Sequence, residues 1–465
     1  MYNEYNVSER QNTGTLNVFS FLGEKGKPVA GAKVSIKDIN GNLLTTLLTD
    51  ESGQTKNVKL PTPKKSLSLA PVDVIPYAKY NVTVEAPGYV TSEINGVQIF
   101  ADTESTQPVR LLETSQRYNR QIQEISISDH TLIGENLKLS EDEINQEVPT
   151  KFHFFIQGET SIPEYVIVHD GHPNNSAPKH QVDFKSYITN VACSEIYPTW
   201  PIECIKANVV CIVSFTLNRI MTEFYKGKEK EFTITSSTAF DHKWIYGRTV
   251  FSTISNVVDE IFSKYISIPD SSPPFPFLAQ YCEGKKVKCP NWLSQWGSKY
   301  LADEGKNHLE ILRHYYGQKI KLCTAQEVKG IPLSFPGYNL QVGSKGKAVT
   351  DMQTYLNSIS NNYPAIEKLQ ADGLFGPATQ KAIKKFQTIF KLPQTGIVDY
   401  STWYKISDIY VAVKKFAQGI PPRESRYKSP LFRNFHFLNE EYTYTPYVTW
   451  APMWVPIIKY WKRIE

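Results

Sequence analysis

The stretch NVACSEIYPTWPIECIKAN, residues 190–208, decides how this chain is read. It carries one acid, Glu195, at a Ser-Glu step just before a turn bounded by Pro198 and Pro201. From Pro201 onward, Ile202, Ile205, Val209, Ile212, Val213, Leu217 and Ile220 recur at helical spacing, which predicts a helix packed into a core. The lead-in FKSYITNVACSEI reads as a helix or an extended segment. A single carboxyl held at the mouth of a helix is suited to proton transfer. The competing reading is that Glu195 caps the following helix and complements its dipole.

The surroundings of this stretch form an α+β region. YVIVHDG (165–171) reads as a buried strand entering a loop, and ISNVVDEIFSKYI (254–266) as a second amphipathic helix. LEILRHYYG (309–317) reads as a third, closed by Gly317. LSQWGS (293–298) offers Ser294, Gln295 and Trp296, and the loop QYCEGKKVKCP offers Tyr281. Asp241 and His242 lie in a polar loop, where function and plain solvation compete. His169 and His172 resemble half of a metal site but lack partners at a defined spacing.

Outside this region the pattern changes. Residues 14–113 alternate with period two: TLNVFSF, AKVSIKD, YNVTVEA and GVQIFA are predicted strands. Asn40-Gly41, Ser52-Gly53 and Pro87-Gly88 mark turns between them, so a small β-sandwich is expected. Residues 114–149 are polar, with the acidic run LSEDEINQE, and read as an exposed, cleavable linker. Residues 326–338 form a second linker. In 339–406, Val349, Met352 and Leu356, then Ala382, Ile383 and Phe386, fall on helical faces that would build a helical core. Residues 421–465 are rich in aromatics and prolines, which exclude one long helix and suggest an arm packed on a neighbouring domain.

At 465 residues the chain is too long for one core, so two to four domains are expected. A net charge of +5 is too weak to argue for nucleic acid and mildly favours an anionic polymer. The polar start MYNEYNVSERQNTG has no signal-peptide pattern, and no membrane span is expected. The six cysteines include Cys204 and Cys211, expected as buried thiols. Cys282 and Cys289 are left open between a disulfide, a metal site and free thiols.

The motifs at 190–208 and 293–298 together resemble the SpoIID domain. Over most of its length the chain resembles the clostridial spore cortex-lytic enzymes of the SleC type. GKPVAGAKVSI, TDESGQT and YNVTVEAPGYV resemble the transthyretin-like fold. NLQVGSKGKAVTDMQTYLN, ADGLFGPATQKAIKKFQ and LPQTGIVDYSTW resemble the three-helix peptidoglycan-binding domain. These resemblances imply a multidomain α+β chain with a transthyretin-like β-sandwich pro-region at 1–113 and a linker or activation segment at 114–149. A SpoIID-like domain follows at 150–325, then a linker at 326–338, a peptidoglycan-binding domain at 339–420 and an aromatic tail at 421–465.

The function implied is that of a germination zymogen. It would cleave the bond between N-acetylmuramic acid and N-acetylglucosamine in cortex peptidoglycan as a lytic transglycosylase. Glu195 would be catalytic, and Gln295, Tyr281, Ser294, Trp296 and Trp200 would bind substrate. No cofactor or metal is implied. The implied partners are cortex glycan strands and an activating subtilisin-like protease, with no nucleic acid and no membrane. The implied location is the spore, between cortex and coat, with synthesis in the mother cell. An amidase and a non-catalytic peptidoglycan-binding or amidase-enhancing protein remain as alternatives. Two positions depart from the broader SpoIID pattern: Val213, where many relatives have Arg, and Cys289-Pro290-Asn291-Trp292, where they have a Gly-His-Gly step.

Overall fold

The computed structural model describes residues 12–114, 122–133 and 160–418. Most of the acidic linker and the whole aromatic tail, 421–465, lie outside the described residues.

The period-two segments form two sheets that share one apolar core. In the first, β1 (Asn12–Leu22) pairs antiparallel with β2 (Lys27–Pro28) and β5 (Val58–Thr62), and parallel with β8 (Glu104–Arg110). The second runs β4 (Leu43–Leu48), β3 (Lys33–Lys37), β6 (Tyr77–Glu85), β7 (Ser92–Phe100), β9 (Gln123–Ser126). Leu16 and Val18 of the first sheet pack with Val34, Ile36, Val82, Val84 and Ile94 of the second. The first sheet is buried on both faces: Phe19 and Phe21 of β1 point into the core of the central region, and Asn17 is 1% exposed. The Ser52-Gly53 turn needs its glycine: Gly53 has φ +72°, and a Cβ there would lie 2.4 Å from the Ser20 carbonyl oxygen.

The central region is built around one long helix. β10 (Ser161–Ile162) is followed by β11 (Tyr165–His169), which pairs with β12 (Lys179–Asp183) and β13 (Ile234–Thr235). Asp183 caps α1 (Phe184–Glu195), accepting from the Ser186 N–H at 2.8 Å. α2 (Ile202–Met221) packs against α3 (Ser252–Ile261), α4 (Gln295–Asp303) and α5 (His308–Tyr316). The helical face read from the sequence is buried along α2 except at its ends, where Ile202 is 45% exposed and Ile220 half-buried. By length and composition α2 could cross a membrane, which the sequence reading did not recognise. Here 83% of its apolar window is buried inside the protein.

The predicted helix 254–266 is only half correct. α3 stops at Ile261, and Lys264–Ser267 becomes β15, paired with β18 (Lys321–Thr324). Tyr265 and Ile266 suit a strand, and their partners come from more than fifty residues away, so local spacing could not reveal the switch. β14 (Val250–Phe251) leaves the central region and extends the first N-terminal sheet beside β8. Two further small pairs are β16 (Tyr281–Cys282) with β17 (Leu293–Ser294), and β10 with β19 (Glu327–Val328).

The C-terminal helices are α6 (Lys347–Ser360), α7 (Pro377–Ile389) and α8 (Tyr400–Ala417). The six apolar positions read from the sequence are all buried there. Two buried glutamines hold the connecting loops in the same way. Gln353 accepts from the Gly373 N–H at 2.9 Å, and Gln387 from the Gly396 N–H at 2.8 Å. α8 lies against α3 through buried charges: Asp259 meets Lys405 at 2.8 Å and Lys185 at 3.1 Å.

Candidate active site

Glu195 is the last residue of α1 rather than a cap of the next helix, and Pro201 begins α2 without any side-chain cap bond. The dipole-capping alternative therefore has no geometry to support it. A helix C-terminus leaves carbonyls that need donors, and each one here has found one. The Cys193 carbonyl accepts from Arg248 Nε at 3.0 Å and also from Arg248 Nη2. The Ser194 carbonyl accepts from the Thr131 N–H at 3.2 Å, and the Glu195 carbonyl from Gln295 Nε2 at 3.2 Å. A cation at this end of the helix also suits its dipole.

Glu195 is 3% exposed. Oε1 accepts from the Lys243 backbone N–H at 2.6 Å, and Oε2 accepts from the Tyr281 hydroxyl. Burial pushes its pKa up from 4.5 to about 7, while both donors and the Lys243 charge pull the other way. Burial and the neighbouring carboxylate raise the Tyr281 pKa well above its usual value, so this hydroxyl remains a donor.

His242 lies behind Tyr281, the two rings stacked with centroids 5.7 Å apart. Its Nδ1 is 3.0 Å from the Tyr187 hydroxyl, and burial lowers its pKa to about 3, which keeps it neutral. The Asp241 side chain is fully buried and structural. It meets Arg219 Nε at 3.0 Å and accepts from the Thr235 N–H at 2.9 Å.

The other sequence candidates fall into three groups. Tyr281 and Gln295 reach Glu195 directly. Ser294 caps α4, accepting from the Gly297 N–H at 2.9 Å. Trp200 and Trp296 are buried, with ring centroids 4.8 Å apart, and Tyr197 joins them. This cluster faces the N-terminal sandwich: Trp200 Nε1 donates to the Ser68 carbonyl at 2.9 Å, and Tyr197 packs on Phe100 and His130. His169 bonds the His172 carbonyl oxygen at 3.0 Å through Nε2, so that pair is a loop brace. Among the described residues no group of three His, Cys, Asp or Glu could hold a metal ion. Cys282 and Cys289 form a disulfide, which settles the alternatives left open for them, and Cys204 and Cys211 are buried thiols.

Arg248 and the Lys243 N–H escaped the sequence reading. A backbone donor carries no residue signature, and a lone arginine in IYGRTV carries no spacing signal. A cleft of about 290 Å³ runs beside the Lys243 segment, lined by Asp170, Ser236, Lys243–Tyr246, Glu124–Ser126 and Ser128. A larger cavity of about 410 Å³ lies where the three regions meet, near Lys25, Lys185 and Lys405. Neither includes Glu195.

Residues 345–406 match the family described as putative peptidoglycan binding domain, and the three-helix C-terminal region fits that match. The match supports peptidoglycan as a partner and a role at the cell wall. No curated protein matches the chain. Among solved structures, the chain is similar to the SleB N-terminal domain, at 27% identity over 17% of this chain and 99% of that one, with a TM-score of 0.15. It is similar to GBS52, the minor pilin of Streptococcus agalactiae, at 17% identity over 23% of this chain and 47% of that one, with a TM-score of 0.17. A third likeness is to catechol 1,2-dioxygenase from Pseudomonas arvilla C-1, at 16% identity over 25% of this chain and 57% of that one, with a TM-score of 0.18. Superpositions this slight carry no argument about function.

Proposed function

We propose that this chain is a spore cortex-lytic enzyme, cleaving the muramic acid–glucosamine bond of peptidoglycan as a lytic transglycosylase. The observation that carries the reading is the buried carboxyl of Glu195, held between two donors and raised by burial to about 7. Hydrolysis by water uses two flanking carboxyls. Transglycosylation needs one. Glu195 gives its proton to the bridging oxygen as the bond from the anomeric carbon breaks. The muramic 6-hydroxyl then attacks that carbon and returns its proton to Glu195, leaving a 1,6-anhydro sugar. The tethered nucleophile supplies the effective concentration that an external water would lack.

The wider reading is a zymogen made in the mother cell, stored between cortex and coat, and activated by a subtilisin-like protease. Its modules would be a pro-region at 1–113, an activation segment at 114–149, a catalytic domain at 150–325 and a wall-binding domain at 339–420. The near-complete burial of Glu195, and of the Trp200 cluster beneath Ser68, is consistent with a stored form. The match at 345–406 supplies the module that would hold the enzyme on its polymer. Trp200, Trp296 and Ser294 would then support the site from behind until the sandwich moves.

The test is digestion of purified cortex by the protease-treated chain, wild type beside Glu195→Gln, with products read by mass spectrometry. Anhydro-muropeptides from wild type alone are the expected result. Cleavage of the stem-peptide amide would move the chain to the amidase class. Binding without any product would leave it a wall-binding protein.

A further inference from the structure

We propose that the Cys282–Cys289 disulfide positions Glu195, by fixing the two side chains that grip it. The inference rests on the reading of Glu195 as the acid.

The two strands flanking the bridged loop run parallel, with Tyr281 opposite Leu293 and Cys282 opposite Ser294. Each delivers one contact to Glu195. Tyr281, on the strand entering the loop, donates to Oε2. Gln295, the first residue after the returning strand, donates to the backbone carbonyl at 3.2 Å. A parallel ladder two residues long is too short to hold register by itself. The bridge ties residue 282 to residue 289 at a Cα separation of 5.7 Å.

Inside the loop, the buried Glu283 carboxylate accepts from the N–H groups of Lys285 at 2.9 Å and Lys286 at 2.6 Å, while its carbonyl accepts from the Trp296 N–H at 3.2 Å. Gly284 packs so closely that a Cβ would lie 1.9 Å from Ser294 Oγ. Tyr281 is thus fixed between the bridged residue 282 and the stacked ring of His242. Without the bridge the loop regains conformational freedom. Tyr281 and Gln295 then drift together, and errors on the order of 1 Å at a reacting group cost up to about a hundredfold in rate.

The experiment compares the full chain with Cys282→Ala/Cys289→Ala. The first readout is the infrared carboxyl band of Glu195, obtained by difference against Glu195→Gln across a pH series, and it does not depend on turnover. With the grip released, the carboxyl loses the Tyr281 hydrogen bond and gains access to water, and the titration midpoint departs from that of wild type. The second readout is cortex cleavage after protease treatment, where kcat falls about tenfold or more with KM little changed.

If the double variant does not fold, the same titration is run on folded wild type treated with a dithiol. One reductant thiolate attacks a cysteine Sγ, and the other cysteine leaves and takes a proton. The second reductant thiol then frees the first cysteine as the reductant closes to a cyclic disulfide. This is the one disulfide among the described residues. An unchanged midpoint overturns the proposal. If Glu195→Gln is inactive while the double variant keeps wild-type kcat, the positioning role fails and the functional reading stands. If Glu195→Gln stays active, the functional reading fails, and the infrared titration still decides whether the bridge positions the carboxyl.

Discussion

Glu195 is raised by burial and held by two donors, and the two effects can be separated by substitution. Tyr281→Phe removes a hydrogen bond that lowers the pKa while leaving the site buried. The Glu195 midpoint should therefore rise above about 7, and the alkaline limb of the cleavage profile should move to higher pH. The effect on stability has the opposite sense from that of an ion-paired acid. The folded pKa of Glu195 is raised, so its contribution is most favourable below about 4.5 and is lost as pH rises through about 7. The loss is at most about 3 kcal/mol. Glu195→Gln should raise the melting temperature at pH 8 and leave it nearly unchanged at pH 4, as calorimetry at the two pH values would show. Glu195 was singled out through the resemblance carried by residues 190–208 and 293–298, since a carboxyl before a Pro-bounded turn is not distinctive by itself. Its partners were legible only as residue names. That Tyr281 and Gln295 reach it, and that Lys243 does so through its backbone, follows from long-range packing.

At the scale of elements, α1, α3 and α8 are joined by buried charge. Asp259 is 3% exposed and holds both Lys185 and Lys405, with Asp408 also paired to Lys185. The salt bridges to these lysines keep the Asp259 carboxyl below its usual pKa, although burial acts to raise it. Asp259→Leu leaves two lysine charges short of a partner, and breaking a buried pair in this way costs about 3–5 kcal/mol. Urea unfolding should show this as a lower midpoint with unchanged slope. Helices with one apolar face were read well, because their period needs no partner to be visible: α2, α5, α6 and α7 emerged where expected. The exception, 254–266, changes from helix to strand because residues 321–324 pair with it. Short strands such as β14 and β16 contain two residues, too few for any period to register.

Across the whole molecule, the N-terminal sandwich and the central region share a sheet. Phe251 lies opposite Ser105 in β8, and Gln107 donates to the Gly247 carbonyl and accepts from the Thr249 hydroxyl, each at 2.8 Å. A protease site introduced between residues 133 and 160 should therefore cut the chain without releasing its N-terminal part. Gel filtration should show one co-eluting complex until Gln107→Ala or Trp200→Ala weakens the seam. At the other end, Leu374 is 49% exposed on the loop between α6 and α7. Leu374→Asp should weaken co-sedimentation with peptidoglycan several-fold and leave the melting temperature unchanged.

By itself, the sequence determined the multidomain character, the β-rich start and the C-terminal helical module. Each of these follows from short-range periodicity or composition, which are properties of neighbouring residues. Only the tertiary structure decided that Glu195 ends a helix, that it is buried, and that the disulfide loop holds it. It also decided that the sandwich lies over the Trp200 cluster. Burial, pKa and hydrogen-bond partnership depend on residues as much as 132 positions apart, and no local pattern encodes those distances.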